Sequence, residues 1–167
     1  MNKIASWIFL TAIMVTQITN QQTKTTGCNA FIMSEDDIYL SANTPVYDIE
    51  CVTEDEINMI AMIVIAEAEG ESETGKRLVV DTVLNRMLSS DFPDTIESVI
   101  YQNNAFSPIK SGRAEKCKNK ITDEIIKLVR SEIVKRTNTE VLYFRTNNYS
   151  KYGTPLFKEG NHYFSGK

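Results

Sequence analysis

Residues 53–70, TEDEINMIAMIVIAEAEG, predict a helix that is buried in the core and carries a carboxylate on its apolar face. Thr53 and Glu56 have the spacing of a capping box at the start of this helix. Residues 59–66 are apolar without interruption, and Gly70 is a stop signal. We therefore expect this helix to lie at the centre of the fold.

Glu67 shares a helical face with the isoleucines of this stretch. A step of 100° per residue brings Ile60, Ile63 and Glu67 onto one side of the helix, whereas Glu69 points elsewhere. Burial of an ionised carboxylate among apolar side chains is unfavourable, so the pKa of Glu67 should rise. A carboxylic acid that is protonated near neutral pH is what a general acid requires. The alternative is that Glu67 lies at a frayed helix end with its carboxylate in water.

The first 22 residues have the pattern of a signal peptide or an N-terminal anchor. Lys3 precedes an apolar run, residues 4–15, that is shorter than the roughly 20 residues of a membrane span. No clear small-x-small cleavage site follows, so an uncleaved anchor is the alternative, and only this segment would contact a membrane. Residues 23–50 show no sustained period and are interpreted as a linker. Residues 51–167 then form one domain of a secreted or cell-envelope protein.

Composition excludes several classes of function. The net charge is −4 and the isoelectric point about 5.1, with scattered Lys and Arg, so we expect no nucleic acid partner. The three cysteines lack metal-ligand spacing, which argues against zinc. In an exported chain Cys28 and Cys51 could pair, which would leave Cys117 unpaired. No candidate nucleophile has a convincing His and acid around it in sequence, which disfavours a triad hydrolase.

Three more helices and two strands are predicted downstream. The helices are residues 72–88 with Ser72 as N-cap, about 95–101 with Asp94 as cap, and 122 to about 136. The stretch between the last two helices, YQNNAFSPIKSG, is interpreted as irregular. After Thr139 the strings VLYFRT and HYF predict two short strands around a turn-rich segment. The expected fold class is therefore α+β, mainly helical, with a central buried helix and a small β-hairpin.

The order of several short strings along residues 57–164 resembles a known family. IAEAEGE is followed by VLNR, FPDTIESVIYQ, AFSP, LYF and GNHYF, which is similar to the cell wall hydrolase family of the spore cortex-lytic SleB/CwlJ type. The resemblance implies a lysozyme-like fold and a catalytic glutamate at the first acid of a motif written AEARGE, which corresponds to Glu67. Two departures stand out. Glu69 occupies the arginine position of that motif, and Ala105 stands where the family often has glutamine.

The function implied by the resemblance is cleavage of peptidoglycan between N-acetylmuramic acid and N-acetylglucosamine, typically as a lytic transglycosylase. Glu67 would act first as acid and then as base. A hydrolytic muramidase is the alternative, and Glu71 is the nearest candidate for the second carboxylate that it needs. A non-catalytic peptidoglycan-binding or structural module is the alternative from another class. We expect no cofactor, no metal, and a monomer.

Six further residues are predicted to bind substrate or to support the site: Glu71, Asn85, Phe106, Tyr143, Asn161 and His162. Glu71 would orient substrate or brace the turn into the second helix. Asn85 is interpreted chiefly as a buried amide that bonds loop backbone. Strand alternation favours Tyr143 over Phe144 as the aromatic residue in the cleft. His162, within GNHYF together with Asn161, is interpreted as a hydrogen-bond partner there.

Overall fold

Helix α1, Glu54–Ala68, occupies the middle of the fold in the computed structural model, which describes residues 52–167. Its capping box is present, because the Glu56 N–H donates to Thr53 Oγ1 and the Thr53 N–H donates to Glu56 Oε2. Every residue from 60 to 66 is buried, so the predicted central helix is confirmed. The predicted signal or anchor, the linker and the Cys28–Cys51 pairing lie outside the described residues.

The other helices surround α1. They are α2 Glu73–Leu88, α3 Ile96–Tyr101, α4 Ser107–Lys110, α5 Arg113–Cys117 and α6 Asp123–Val134, with a 3-10 turn at Lys118–Lys120. The predictions of α2 and α6 are confirmed. The cap of α3 is Thr95 and not Asp94, because Thr95 Oγ1 accepts the Ser98 N–H at 3.1 Å. Helices α4 and α5 were not predicted, since elements of four or five residues beside Pro108 and Gly112 are too short to show a helical period.

The C-terminal part forms a three-stranded antiparallel sheet in the order β1-β3-β2, with β1 Tyr143–Arg145, β2 Pro155–Glu159 and β3 His162–Ser165. Two strands were predicted, and β2 was missed because Pro155 and nearby turn residues mark a loop. Pro155 is tolerated as the first residue of an edge strand, where its missing N–H leaves no ladder bond unmade. A second core cluster, built around Leu78, Val141 and Phe164, joins α2 to the sheet. No helix within residues 52–167 has the length and hydropathy to cross a bilayer.

Two carboxyl side chains are buried where α2 faces α6. Asp81 is fully buried and its Oδ2 accepts the Asn138 N–H at 2.7 Å. Glu132 is 1% exposed, accepts the Thr137 N–H at 2.6 Å and forms an ion pair with Arg77. Burial, then the neighbouring Glu132, raises the pKa of Asp81 to about 8. The folded protein therefore keeps a proton on this pair near neutral pH.

We expect the free energy of unfolding to fall as pH rises from about 4 to about 8, by at most about 1.4 kcal/mol per pH unit. In this range Asp81 is protonated in the folded state but ionised in the unfolded chain, where its pKa is 3.8, so unfolding releases a proton. Asp81→Asn should remove this component, whereas Asp91→Asn, at an exposed carboxylate, should retain it. Urea denaturation at about pH 5, 7 and 9 measures how steeply the free energy of unfolding changes with pH in each protein. Equal slopes for wild type and Asp81→Asn would contradict the assignment.

Candidate active site

Glu67 lies in the last turn of α1 and lines a cavity of about 440 Å³. The wall comes from α1, α2, the segment that enters α4, β1 with the loop after it, and the first residue of β3. The other lining residues are Arg86, Asn104, Ala105, Ser107, Phe144, Arg145, Thr146, Asn147, Asn148 and His162. Helical phase thus identified a side chain that opens into a cavity whose other lining residues are mostly polar.

The Glu67 carboxyl is half-buried, and its surroundings favour the protonated form. Loss of solvent raises its pKa, while the charges of Arg113 and Arg86 and the Ser107 N–H act in the opposite direction. The net direction is upward. The alternative of a frayed helix end with its carboxylate in open water is therefore not the arrangement in the structure. A carboxyl group in this state can donate a proton and then hold a negative charge beside two cations.

Arg86 is a buried cation on the cavity wall, and sequence analysis missed it. Its guanidinium carbon lies 5.3, 5.0 and 5.7 Å from the ring centroids of Phe92, Phe106 and Tyr143. Its Nε donates to the Leu142 carbonyl oxygen at 2.7 Å. Burial lowers the pKa of Arg86 to about 10, so the side chain stays charged at neutral pH. The three rings and the carbonyl therefore fix a positive charge near Glu67.

The aromatic residues considered for the cleft, Phe106, Tyr143 and Phe144, differ in their relation to the cavity. Phe144 lines the cavity, whereas Tyr143 is not among the lining residues and packs against Phe92 at 5.8 Å. Phe106 is 2% exposed and belongs to the core beneath Arg86. The aromatic side chain on the cavity wall is thus that of Phe144, and a substrate contact by Tyr143 stays a prediction. Alternation shows that the two side chains point in opposite directions, but only the packing of β1 against the helices decides which of them borders the cavity.

His162 lies on the cavity wall with its ring 4.9 Å from Phe144. The side chain is 2% exposed, and Nδ1 has no hydrogen-bond partner among residues 52–167. Burial lowers the pKa of His162, with Glu71 acting in the opposite direction. The imidazole is therefore neutral at neutral pH. Its role as a hydrogen-bond partner for substrate stays a prediction.

Glu71 and Asn161 bind each other outside the residues that line this cavity. The Glu71 carboxylate accepts the Asn161 N–H at 3.1 Å and the Asn161 Nδ2 at 2.8 Å, and these bonds lower the pKa of Glu71. At Gly160, where φ is +56°, an added Cβ would lie 1.9 Å from Glu71 Oε2. Since α1 ends at Ala68, Glu71 does not share the helical face of Glu67. It braces the β2–β3 turn.

Asn85 is a buried amide that holds the loop before β1. Its Nδ2 donates to the carbonyl oxygens of Asn138 at 3.0 Å and Val141 at 2.9 Å, and its Oδ1 accepts from Arg136 at 2.8 Å. The interpretation as an amide that bonds loop backbone is confirmed. Asn85 is absent from the cavity lining, so its support of the site is indirect, through the chain that leads to Phe144.

Several site residues had weak or no sequence signals. Arg86 follows Val79 and Val83 at helical spacing, so a charged residue on an apolar face could have revealed it as it revealed Glu67. Asn104 and the loop at residues 146–148 carry no periodic pattern, and only tertiary contacts bring them to the cavity. Over residues 52–167, no group of three or more His, Cys, Asp or Glu side chains is arranged to hold a metal ion.

A sequence model of the Cell Wall Hydrolase family matches residues 70–165. The chain belongs to this family. The matched region begins at Gly70 and covers α2 through β3. Glu67 lies outside the matched residues, so its selection as candidate acid depends on its place in the fold and not on the match. The family predicted from the short strings is confirmed.

Curated relatives in this family are spore cortex-lytic enzymes. The one from Oceanobacillus iheyensis is 36% identical over 61 residues, which cover 36% of this chain and 22% of that protein. The one from Bacillus cereus is 33% identical over 61 residues, which cover 36% of this chain and 24% of that protein. The aligned part of the chain thus spans about a quarter of the length of these relatives.

Two solved structures share the fold over nearly their whole length. The catalytic domain of the germination-specific lytic transglycosylase SleB from Bacillus anthracis superposes with a TM-score of 0.59 at 27% identity, covering 69% of this chain and 97% of that one. The catalytic domain of Bacillus cereus SleB has a TM-score of 0.59 at 24% identity and covers 75% of this chain and 99% of that one. The predicted α+β, mainly helical fold is confirmed, with a three-stranded sheet in place of a hairpin.

Proposed function

We propose that this protein cleaves the glycan strands of peptidoglycan between N-acetylmuramic acid and N-acetylglucosamine, as a lytic transglycosylase with Glu67 as acid and base. One observation carries the proposal. A half-buried carboxyl group with a raised pKa opens into a cavity, in a cell wall hydrolase whose fold matches a SleB lytic transglycosylase domain. Such a group is suited to donate a proton to a leaving glycosidic oxygen.

In the first step, protonated Glu67 donates its proton to the glycosidic oxygen while the bond from that oxygen to the muramyl C1 breaks. Positive charge develops on the muramyl ring, and Glu67 becomes a carboxylate. The charges of Arg86 and Arg113 stabilise this carboxylate, as their effect on the pKa of Glu67 indicates. The fixed position of Arg86 limits the reorganisation that accompanies the charge change.

In the second step, the Glu67 carboxylate takes the proton of the muramyl 6-hydroxyl, and the freed oxygen bonds to C1. The product is a 1,6-anhydro ring, no water is consumed, and Glu67 ends the cycle protonated. One carboxyl group therefore serves both steps. Among the cavity-lining residues of the described chain Glu67 is the one carboxylic acid, which favours this route over a mechanism with two carboxylates.

The remaining cavity wall carries several side-chain amides together with the guanidinium of Arg145. Asn104, Asn147 and Asn148 offer donors and acceptors that suit N-acetyl and hydroxyl groups. The ring of Phe144 offers an apolar surface for one face of a sugar. We assign peptidoglycan as the partner on this basis.

The hydrolytic muramidase is the second candidate, and it would need a second carboxylate near the scissile bond. Glu71 is not placed for this task, because both of its oxygens accept bonds from Asn161 in the β2–β3 turn. A non-catalytic binding module has no need of a half-buried carboxyl group whose pKa is raised by burial, and such shifts tend to accompany catalytic sites.

Fragment analysis of digested peptidoglycan tests the proposal. Purified protein is incubated with cortex sacculi and with vegetative walls, and the soluble fragments are analysed by mass spectrometry. We expect fragments with 1,6-anhydromuramic ends from at least one wall type. Reducing muramic ends would instead identify a muramidase, and absence of release from both walls would favour the binding module.

The substrate implies a location outside the cytoplasm. We propose that residues 1–22 direct export or anchor the chain, that residues 23–50 are a linker, and that residues 51–167 form the catalytic domain. The apolar run after Lys3 supports this division. The domain is proposed to act as a monomer, without metal or organic cofactor.

A further inference from the structure

Helix α1 carries negative charge at its C-terminal end and has no basic residue in its last turn. Glu67 and Glu69 lie at this end, where the helix dipole is also negative and the last carbonyl groups lack intrahelical partners. Any cation that offsets these charges must come from another element. The identity of that cation bears on Glu67, because Glu67 changes its charge during the proposed reaction.

The segment from α5 to the following 3-10 turn supplies the cations. Arg113 Nη2 donates to the carbonyl oxygen of Ala66, the residue directly before Glu67. Lys120 Nζ lies 2.9 Å from Glu69 Oε1. The position of α5 against the core is fixed by the buried side chain of Ala114, next to Arg113 in sequence. The Arg113 guanidinium is thus held at the turn that carries the acid.

We propose that Arg113 is a positioning residue for the catalytic acid, which fixes the last turn of α1 through the Ala66 carbonyl and stabilises the carboxylate form of Glu67. This inference rests on the proposed function, since it takes Glu67 as the acid and base. Arg113 is not among the residues that line the cavity, so it acts on Glu67 and not on substrate. In the second step this carboxylate accepts the muramyl hydroxyl proton.

The electrostatic balance at Glu67 agrees with this role. The groups that change the pKa of Glu67 are Arg113 of α5, Arg86 of α2 and the Ser107 N–H at the start of α4. His162 of β3 and Arg145 of β1 lie on the same cavity wall. Among those that favour the ionised form, Arg113 has the largest effect on the pKa of Glu67. Arg113 is exposed, so its substitution leaves no cavity in the core.

The test compares Arg113→Gln and Arg113→Lys with Lys116→Gln, which removes one positive charge from an exposed position on the same helix. Carbon-13 NMR of labelled glutamate follows the Glu67 carboxyl through a pH titration, with Glu67→Gln used to assign its signal. We expect the pKa of Glu67 to move upward in Arg113→Gln and to stay near the wild-type value in Lys116→Gln. In Arg113→Lys the pKa of Glu67 should lie much closer to the wild-type value than in Arg113→Gln, because lysine retains the positive charge.

The pH profile of glycan cleavage provides the second readout. We expect its alkaline limb to move upward in Arg113→Gln, with KM within about twofold of wild type, since no substrate contact is removed. A Glu67 titration in Arg113→Gln that matches wild type would overturn the inference and leave the proposed function intact. An active Glu67→Gln variant would overturn the proposed function, and the NMR titration would still report whether Arg113 acts on that carboxyl group.

Discussion

Glu67→Gln is expected to lower the rate of glycan cleavage by about 10²–10⁴-fold, because the amide occupies the same space but has no proton to donate. The free energy of unfolding should not fall. Burial already opposes the ionisation of Glu67, so replacement of this half-buried carboxyl group by an amide removes no favourable charge. Release of soluble fragments from sacculi measures the activity, and urea denaturation measures the stability. Wild-type rates should decline at alkaline pH as the acid loses its proton.

Glu69→Gln is the matched control for this substitution. Glu69 lies two positions further along the chain and is exposed, and it forms a surface ion pair with Lys120. Such pairs contribute about 0–1 kcal/mol, so both stability and activity should stay close to wild type. A Glu67→Gln variant that is folded and as active as Glu69→Gln would refute Glu67 as the proton donor.

Arg86→Ala is expected to lower the free energy of unfolding by about 2–4 kcal/mol, because it leaves a void among aromatic rings and a buried carbonyl without its donor. The rings are those of Phe92, Phe106 and Tyr143, and the carbonyl belongs to Leu142. Activity should fall as well, since a fixed positive charge near the Glu67 carboxylate is lost. Urea denaturation and the fragment-release assay measure the two effects.

Arg145→Ala provides the comparison, because Arg145 lines the same cavity but is exposed. Its loss should change stability by less than about 0.5 kcal/mol, as for other surface substitutions. Arg86→Lys retains the charge and should recover part of the activity, although it cannot reproduce the planar stacking on the rings. If Arg86→Ala proves as stable as Arg145→Ala, the packing of Arg86 on the rings and its bond to the Leu142 carbonyl do not stabilise the fold.

Local sequence was sufficient to predict the central helix and the position of Glu67 on its apolar face. The capping box of Thr53 and Glu56 depends on residues three apart, and the phase that places Glu67 beside Ile60 and Ile63 depends on one helical period. Both patterns are complete within residues 53–70, so no distant contact was needed to interpret them. The same holds for the side-chain cap of α2 at Ser72 and for the apolar spacing of α2 and α6, which are also local.

The rest of the site was decided by contacts between distant segments. Phe144 and not Tyr143 borders the cavity because of the way β1 packs against the helices. The alternation of side chains along a strand is equally compatible with either residue at the cavity. Arg113 reaches Ala66 from 47 positions along the chain, and Glu71 reaches Asn161 from 90. No short-range pattern encodes such pairs. The sequence alone determined the helix and the carboxyl group on its apolar face. Tertiary packing determined the charges and walls that surround this carboxyl group, because those come from loops and short elements without a period.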